Sequence, residues 1–450
     1  MISGQSNAVY GTYKIEDFAE YQANADNFDN IYAFAVSQGQ SLVEKAEATN
    51  SGWYKVTSGA LTKDDRYSGI SGIAYVMATR LATELGADVA VGIIDINFNG
   101  STVEAWMSPE NLGKVDPELN EKYSAYRSYF EENGVYPAES DVSQYGKYIT
   151  SGKLYSQMAC SCYNAMIAPI FDGFTIRGAV WYQGEGNAAS VTADDEGDYR
   201  RHFDGVRSTF REVFANPDLP VFIIQSPPRL NNPFYFKALM YDIAAKDDNT
   251  YVVLSLYAGS TYSENELKYT SPAGDSMAHF ERKSPVGHAL ADSILENVYG
   301  MGELSAPNIL SVTQVGDSIV ITFDRELTVD MGNEMLGFEI RAAGGEWVAA
   351  KATYADKTVT LTAEGVSAPE EVRYGADKSI LVLEDGTEFY HNKADATIVW
   401  NEEEGTVTIT HNGNVYIIDT SDPAVIGGRM NHNVVATNGT ALPVFLITVE

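Results

Sequence analysis

The chain has 450 residues, 44% hydrophobic and 20% charged, a composition that excludes intrinsic disorder and is long for a single core. Its 62 Asp and Glu against 30 Lys and Arg give a net charge of −32. Such a surface favours solubility, repels phosphate backbones and anionic bilayers, and so argues against nucleic acid and membranes as partners.

The opening residues, Met1 to Asn7, leave no room for a signal peptide and almost none for a strand before the turn Gly4-Gln5-Ser6-Asn7. Beyond it, helical and strand-like patterns alternate up to about residue 300. Ser71 to Leu85 has apolar residues at helical spacing, and Gly86 ends it. Val89 to Ile96 is a continuous apolar run, as expected of a strand buried on both faces of a parallel sheet. Leu154 to Phe171 reads as a helix carrying the two cysteines, Cys160 and Cys162, whose spacing disfavours a bridge to each other. No disulfide framework or cysteine-based zinc site follows. Thr175 to Trp181 and Leu219 to Gln225 read as strands flanking a helix from Tyr199 to Phe214. Tyr251 to Leu256 is a further strand and Pro285 to Tyr299 a closing helix. This alternation predicts an α/β sandwich.

From about Ala306 the pattern becomes all-β. Ile309 to Phe323 alternates around a Gly-Asp turn, the signature of a hairpin. Short strands are expected at 338–340, 347–352, 358–362, 371–374, 379–382, 396–400, 406–411 and 415–419. The expected division is residues 1–303 and 304–450, with a β insertion at about 376–430.

Four segments carry chemistry. Ser6 sits on a tight turn where a parallel sheet would present its hydroxyl to the ligand crevice, although a polar turn is the plainer alternative. Asn99-Gly100-Ser101-Thr102 follows a strand, and a glycine there can bring its N–H close to a substrate. Trp181 to Asn187 (WYQGEGN) follows another strand. Gln183 offers an amide for an oxyanion, and Glu185 suits a supporting role. Asp275 and His279 precede the closing helix, where a histidine can take the serine proton while a carboxylate holds its tautomer. The other five histidines, His202 among them, read as core or surface residues.

Together these segments resemble the SGNH-type hydrolases, in particular the sialate O-acetylesterase and acetylxylan-esterase-like branch. Gly4 to Asn7 is similar to that family's nucleophile block, with Asn7 in support. Gly100 with Ser101 to Ser108 is similar to the second block. Trp181 to Asn187 is similar to the Trp-Tyr-Gln-Gly-Glu-Ser-Asn block. His279 to Lys283 with Val286-Gly287 is similar to the catalytic-histidine segment, and Val372 to Gly375 and Asn433 to Phe445 to the closing strands. The resemblance implies an α/β fold, a flavodoxin-like three-layer sandwich with a parallel sheet, plus a C-terminal all-β domain. It implies a carbohydrate O-acetylesterase with nucleophile Ser6, base His279 and acid Asp275. The implied oxyanion hole is Ser6, Gly100 and Gln183, with no cofactor and no metal. Partners would be O-acetylated glycans or sialic acid, in a secreted or periplasmic setting. Asp275 lies four residues before His279 where two or three is usual, and Glu185 is the alternative acid. Aromatic narrowing of the acyl side would fall to Tyr10, Trp106 or Trp181. Acetylated xylan is the alternative substrate, and glycan binding without catalysis, or an adhesive role, the alternatives of another class.

Overall fold

The computed structural model describes residues 1–9, 18–61, 70–136, 149–150, 153–154, 157–171, 173–225, 234–254, 283–329, 333–376, 380–382, 388–390, 396–401, 406–411, 414–419 and 434–449. Contacts divide the chain into two compact units, one mainly Met1–Ser226 and the other mainly Asp292–Glu450.

The first unit is built on one sheet. Its strands are β1 (Ile2–Gly4), β2 (Ile31–Ala35), β3 (Tyr54–Lys55) and β4 (Val91–Asn97). After a small hairpin of β5 (Ile149–Thr150) and β6 (Lys153–Leu154) come β7 (Ala179–Tyr182), β8 (Val221–Gln225) and β9 (Thr250–Leu254). The sheet order is β3-β2-β4-β1-β7-β8-β9. Without β2 and β3, which extend one edge, this is the flavodoxin-like order 2-1-3-4-5. β1 is parallel to both β4 and β7, and β2 to β4. The central strands are buried on both faces, every residue of β7 and β8 included, which is why they read as unbroken apolar runs.

The sequence leaves almost no room for a strand before Ser6, yet β1 is there, three residues long and central. It needs no greater length because it pairs on both sides. A second difference concerns Leu154 to Phe171. Cys160 takes a left-handed φ of +61°, which ends any continuous helix, and Tyr163–Ile167 is a π-helical turn. Both cysteines are free and buried.

The first unit's helices include α1 (Ser6–Val9), α2 (Phe18–Asn24) and α3 (Gly72–Leu85), the last capped by Ser71 and ended by Gly86 as expected. Next come α4 (Pro109–Val115) and α5 (Pro117–Asn133), whose caps Ser108 and Asp116 each precede a proline at the first helical position. α6 (Tyr199–Val213) follows; of the next two helices, α7 (Phe234–Ala245) belongs mostly to the second unit and α8 (Ser284–Tyr299) contributes its first half to the first. Among the described residues no helix is long and apolar enough to cross a membrane.

The second unit carries two four-stranded antiparallel sheets. One orders Ile309–Val315, Ser318–Phe323, Thr358–Thr362 and Lys351–Ala355. The other orders Val348–Ala349, Phe338–Arg341, Glu371–Tyr374 and Phe445–Thr448. Alternate residues, Ile319, Ile321 and Phe323 from the first and Phe338, Ile340, Val372 and Tyr374 from the second, meet in a shared core. A separate three-stranded sheet joins Ala396–Asn401, Thr406–His411 and Asn414–Asp419.

Within the first unit, α8 lies against α3 at Gly287, where a Cβ would come 2.6 Å from Val76 Cβ. Gly287→Ala should therefore lower stability by about 1–3 kcal/mol through overpacking. Val76→Ala added to it should recover part of the loss, as read from urea midpoints. A Gly287→Ala protein as stable as the parent would show that the helices can separate freely.

Candidate active site

Parallel pairing in register sets the site. Gly4 of β1 stands opposite Asn97 of β4 on one side and Tyr182 of β7 on the other. The three loops that carry Ser6, Gly100 and Gln183 therefore leave the sheet at one level, beside its switch point, where open α/β sheets hold their ligands. The approach of β1 to β7 is close. Gly4 has φ +151°, and a Cβ there would fall 2.0 Å from Tyr182 O. Gln5 N donates to Tyr182 O (3.0 Å), and Phe98 N donates to Gly4 O (2.9 Å). Ser6 then opens α1, half-buried, with Ala8 N and Val9 N closing back on Gln5 O. Gly100 is exposed, at φ +68°, in a turn where Ser101 N donates to Phe98 O.

Gln183 is fully buried. Its Nε2 lies 2.8 Å from Asn187 Oδ1, 3.1 Å from Ser101 O and 3.2 Å from Gln5 Oε1. Two N–H groups thus serve three protein acceptors, and Tyr199 Oη donates to its Oε1. The amide that the sequence offers to an oxyanion is here committed to the residues beside Ser6 and Gly100. An oxyanion reaching this amide, the role expected of it, would replace one of those acceptors.

Asn7 is also fully buried. Its Nδ2 donates to Glu185 Oε1 (2.5 Å), and its Oδ1 accepts from Lys283 Nζ (2.7 Å). Lys283 is fully buried, with its ammonium 5.9 Å from the centre of the Tyr182 ring. The sequence placed Lys283 in the segment that resembles the catalytic-histidine block but gave it no role of its own. Its pairing with Asn7 ties the start of α8 to the turn that bears Ser6.

Trp106 and Trp181 are wholly buried and pack edge to face, ring centres 6.0 Å apart. Both lie in the core, the position expected of Trp181 in preference to one beside the substrate. Tyr10, Asp275 and His279 lie outside the described residues.

Behind the loops lies an ionic network. His202 of α6, fully buried, contacts Glu104 Oε1 (3.1 Å) and Asp116 Oδ2 (2.8 Å). Glu104 also accepts from Asn187 Nδ2 (3.0 Å), so the network continues through Asn187 to Gln183. Arg201 already neutralises Asp116 and Asp198, at 3.1 and 2.6 Å. Burial alone lowers the pKa of His202, but Glu104 and Asp116 outweigh it and hold the imidazole protonated beyond the ordinary histidine value. Burial raises the two carboxyls, and their hydrogen bonds and the facing cations bring both below their ordinary values.

The signs follow by linkage. The contribution of His202 is complete below the pKa of an unfolded histidine, about 6.5, and is lost as pH rises through the higher folded value. That of Glu104 and Asp116 is complete above the unfolded carboxyl range and is lost as pH falls through their lower folded values. His202→Ala strands two buried carboxylates and should lower stability by about 3–5 kcal/mol at neutral pH. It should also flatten the alkaline decline of the parent, as read from denaturant midpoints across pH. An unchanged alkaline limb would remove His202 as its source.

The comparisons agree with this geometry. Residues 1–279 match the family described as carbohydrate esterase, sialic acid-specific acetylesterase. Sialate O-acetylesterase of Rattus norvegicus is 25% identical over 193 residues, 42% of this chain and 35% of that protein. Sialate O-acetylesterase of Homo sapiens is 25% identical over 189 residues, 42% and 31% respectively. The match thus spans about a third of the length of these relatives. A carbohydrate acetylesterase from Xanthomonas citri shares the fold, with a TM-score of 0.66 at 20% identity over 99% of this chain and 79% of that one. With its three loops level at the switch point of a flavodoxin-like sheet and its family match running over residues 1–279, the chain belongs to the carbohydrate esterase family of sialic acid-specific acetylesterases.

Proposed function

We propose that this protein is a serine esterase that removes O-acetyl groups from carbohydrates. The observation that carries the reading is the register at Gly4, which brings Ser6, Gly100 and Gln183 to one edge of the sheet. Ser6 Oγ attacks the acetyl carbonyl as His279 takes its proton, and the N–H groups of Ser6 and Gly100 hold the oxyanion. Gln183 positions both donors through Gln5 and Ser101. His279 then protonates the departing sugar hydroxyl. A water activated by the same imidazole attacks the acyl-enzyme, and acetate leaves. Asp275 orients the imidazole.

Two facts support His279. The family match extends to residue 279. Lys283, four residues further along, is anchored on Asn7, the residue after Ser6. The substrates to test are O-acetylated sialic acid and acetylated xylan, the first suggested by the family and its relatives.

Ser6→Ala and His279→Ala should each lower kcat for acetate release by about 10⁴-fold or more. The pH profile of kcat/KM should fall on the acid side as the imidazole base takes up a proton. Undiminished release by the Ser6→Ala protein would sink the mechanism. Asp275→Asn should be more damaging than Glu185→Gln, and the reverse order would make Glu185 the triad acid.

A further inference from the structure

Asparagine precedes glycine at four places in the chain, Asn99, Asn133, Asn412 and Asn438. Such a pair can react with itself. The glycine has no side chain to shield its backbone nitrogen, which can close on the carbonyl carbon of the asparagine amide. Asn412 lies outside the described residues. At two of the other three the structure opposes the reaction. Asn133 ends α5, and its Nδ2 donates to Tyr129 O (2.8 Å). Gly134 N donates to Phe130 O (2.8 Å), so the nitrogen that would attack continues the helical ladder and points along the axis. Asn438 is held at both ends of its amide, with Nδ2 donating to Glu303 O (2.9 Å) and Ser305 O (3.2 Å) and Oδ1 accepting from Thr440 N (2.9 Å). Gly439 N donates to Ala436 O (2.9 Å).

The glycine of the remaining pair is not held in this way. Gly100 is exposed at φ +68°, and its N–H has no hydrogen-bond partner among the described residues. The turn is closed around it, by Ser101 N and Ser101 Oγ donating to Phe98 O at 3.3 and 2.9 Å. The peptide joining Asn99 to Gly100 can therefore rotate without that N–H giving up a partner. Water has access as well. Asn99 is half-buried and, with Val9 at the end of α1, lines a cavity of about 530 Å³, far larger than a single water needs.

We propose that Asn99-Gly100 is a self-modification site, where deamidation limits the working life of the esterase. The Gly100 nitrogen, its proton drawn off by hydroxide, bonds to Asn99 Cγ. The bond from Cγ to Nδ2 breaks, and the departing group takes up a proton and leaves as ammonia. Water then opens the resulting cyclic imide at either carbonyl, giving aspartate or isoaspartate. The sum consumes a water, releases an ammonia and oxidises nothing. Either product places a new carboxylate beside Gly100, charged at neutral pH. In isoaspartate the main chain also gains a carbon–carbon bond of about 1.5 Å just before Gly100 N. The loss of activity rests on the esterase reading, in which that nitrogen is an oxyanion donor. Displacing the donor, or setting a negative charge beside it, should lower acetyl transfer about 100-fold.

The test incubates the full chain in warm, mildly alkaline buffer and follows it by peptide mass mapping and by turnover of an aryl acetate. The mass gain that marks an amide turned into an acid should grow at Asn99 at least about tenfold faster than at Asn133 or Asn438, whose glycine N–H groups must first give up a hydrogen bond. Turnover should fall in step with it, and the modified form, separated by its added charge, should show a kcat about 100-fold below the parent. Asn99→Gln, whose side chain is one methylene too long for the same ring, should keep its own starting activity through the same incubation. A mass gain at Asn99 no faster than at the other two sites overturns the proposal, as does an Asn99→Gln protein that fades as fast as the parent. Modification at Asn99 that leaves turnover unchanged overturns the limit on working life, and with it Gly100 as an oxyanion donor. Fresh protein with no esterase activity sinks the esterase reading, and the mass map alone then decides whether Asn99 modifies itself.

Discussion

The site depends on how closely β1 can approach β7. A side chain at residue 4 would collide with the Tyr182 carbonyl, so the level alignment of the three loops rests on a glycine. With that glycine, a three-residue strand suffices, because each residue pairs with a neighbour on both sides. Ser6 is thereby held at the end of a central strand buried on both faces. The turn that bears Ser6 inherits the rigidity of the sheet and needs little ordering of its own.

Two buried polar systems extend that rigidity into the loops. One runs from Lys283 through Asn7 to Glu185 and joins the nucleophile turn, the third loop and the start of α8. The other runs from Asp116 and His202 through Glu104 and Asn187 to Gln183, and there meets Gln5 and Ser101. Each contains fully buried charge, tolerable only because its partners lie within hydrogen-bond distance. Buried ion pairs contribute little net stability compared with apolar packing, but they define geometry sharply. The proposed oxyanion donors would need that sharpness, since such donors act only when preorganised.

The sequence made some levels of this arrangement legible and hid others. Strands with uniform apolar runs or strict alternation, such as Thr358–Thr362 and Glu371–Tyr374, match their expected bounds because period and burial coincide there. The helix expected over Leu154–Phe171 does not form, because its apolar spacing carries no sign of the left-handed φ at Cys160. α4 and α5 escaped notice although Ser108-Pro109 and Asp116-Pro117 are recognisable starts, since their polar faces dilute the periodic signal. Motifs identified Ser6 and Gly100 by chemistry, but motifs do not say where a side chain points. Gln183 turned out to face its own loops, Trp106 and Trp181 the core, and His202 two carboxylates. Those outcomes follow from contacts distant in sequence. Lys283 was unreadable for the same reason, its partner Asn7 being 276 residues away.

The edge strands give the arrangement its remaining logic. β2 and β3 lie outside the 2-1-3-4-5 order, and the segment from Ala35 to Ser51 that joins them supplies Ala35 to Gln38, Asn50 and Ser51 to the cavity wall. β4 supplies Asp95 and Asn97 to the same cavity and leads on to Gly100. The Ser6, Gly100 and Gln183 loops belong to the central strands and cannot shift without disturbing the core. The cavity wall is built largely on an addition to the sheet edge, where sequence can change at lower cost to packing. The central strands can therefore stay fixed while the outer strands vary, and Gln38 is where the two meet, facing Asn99 one residue before Gly100.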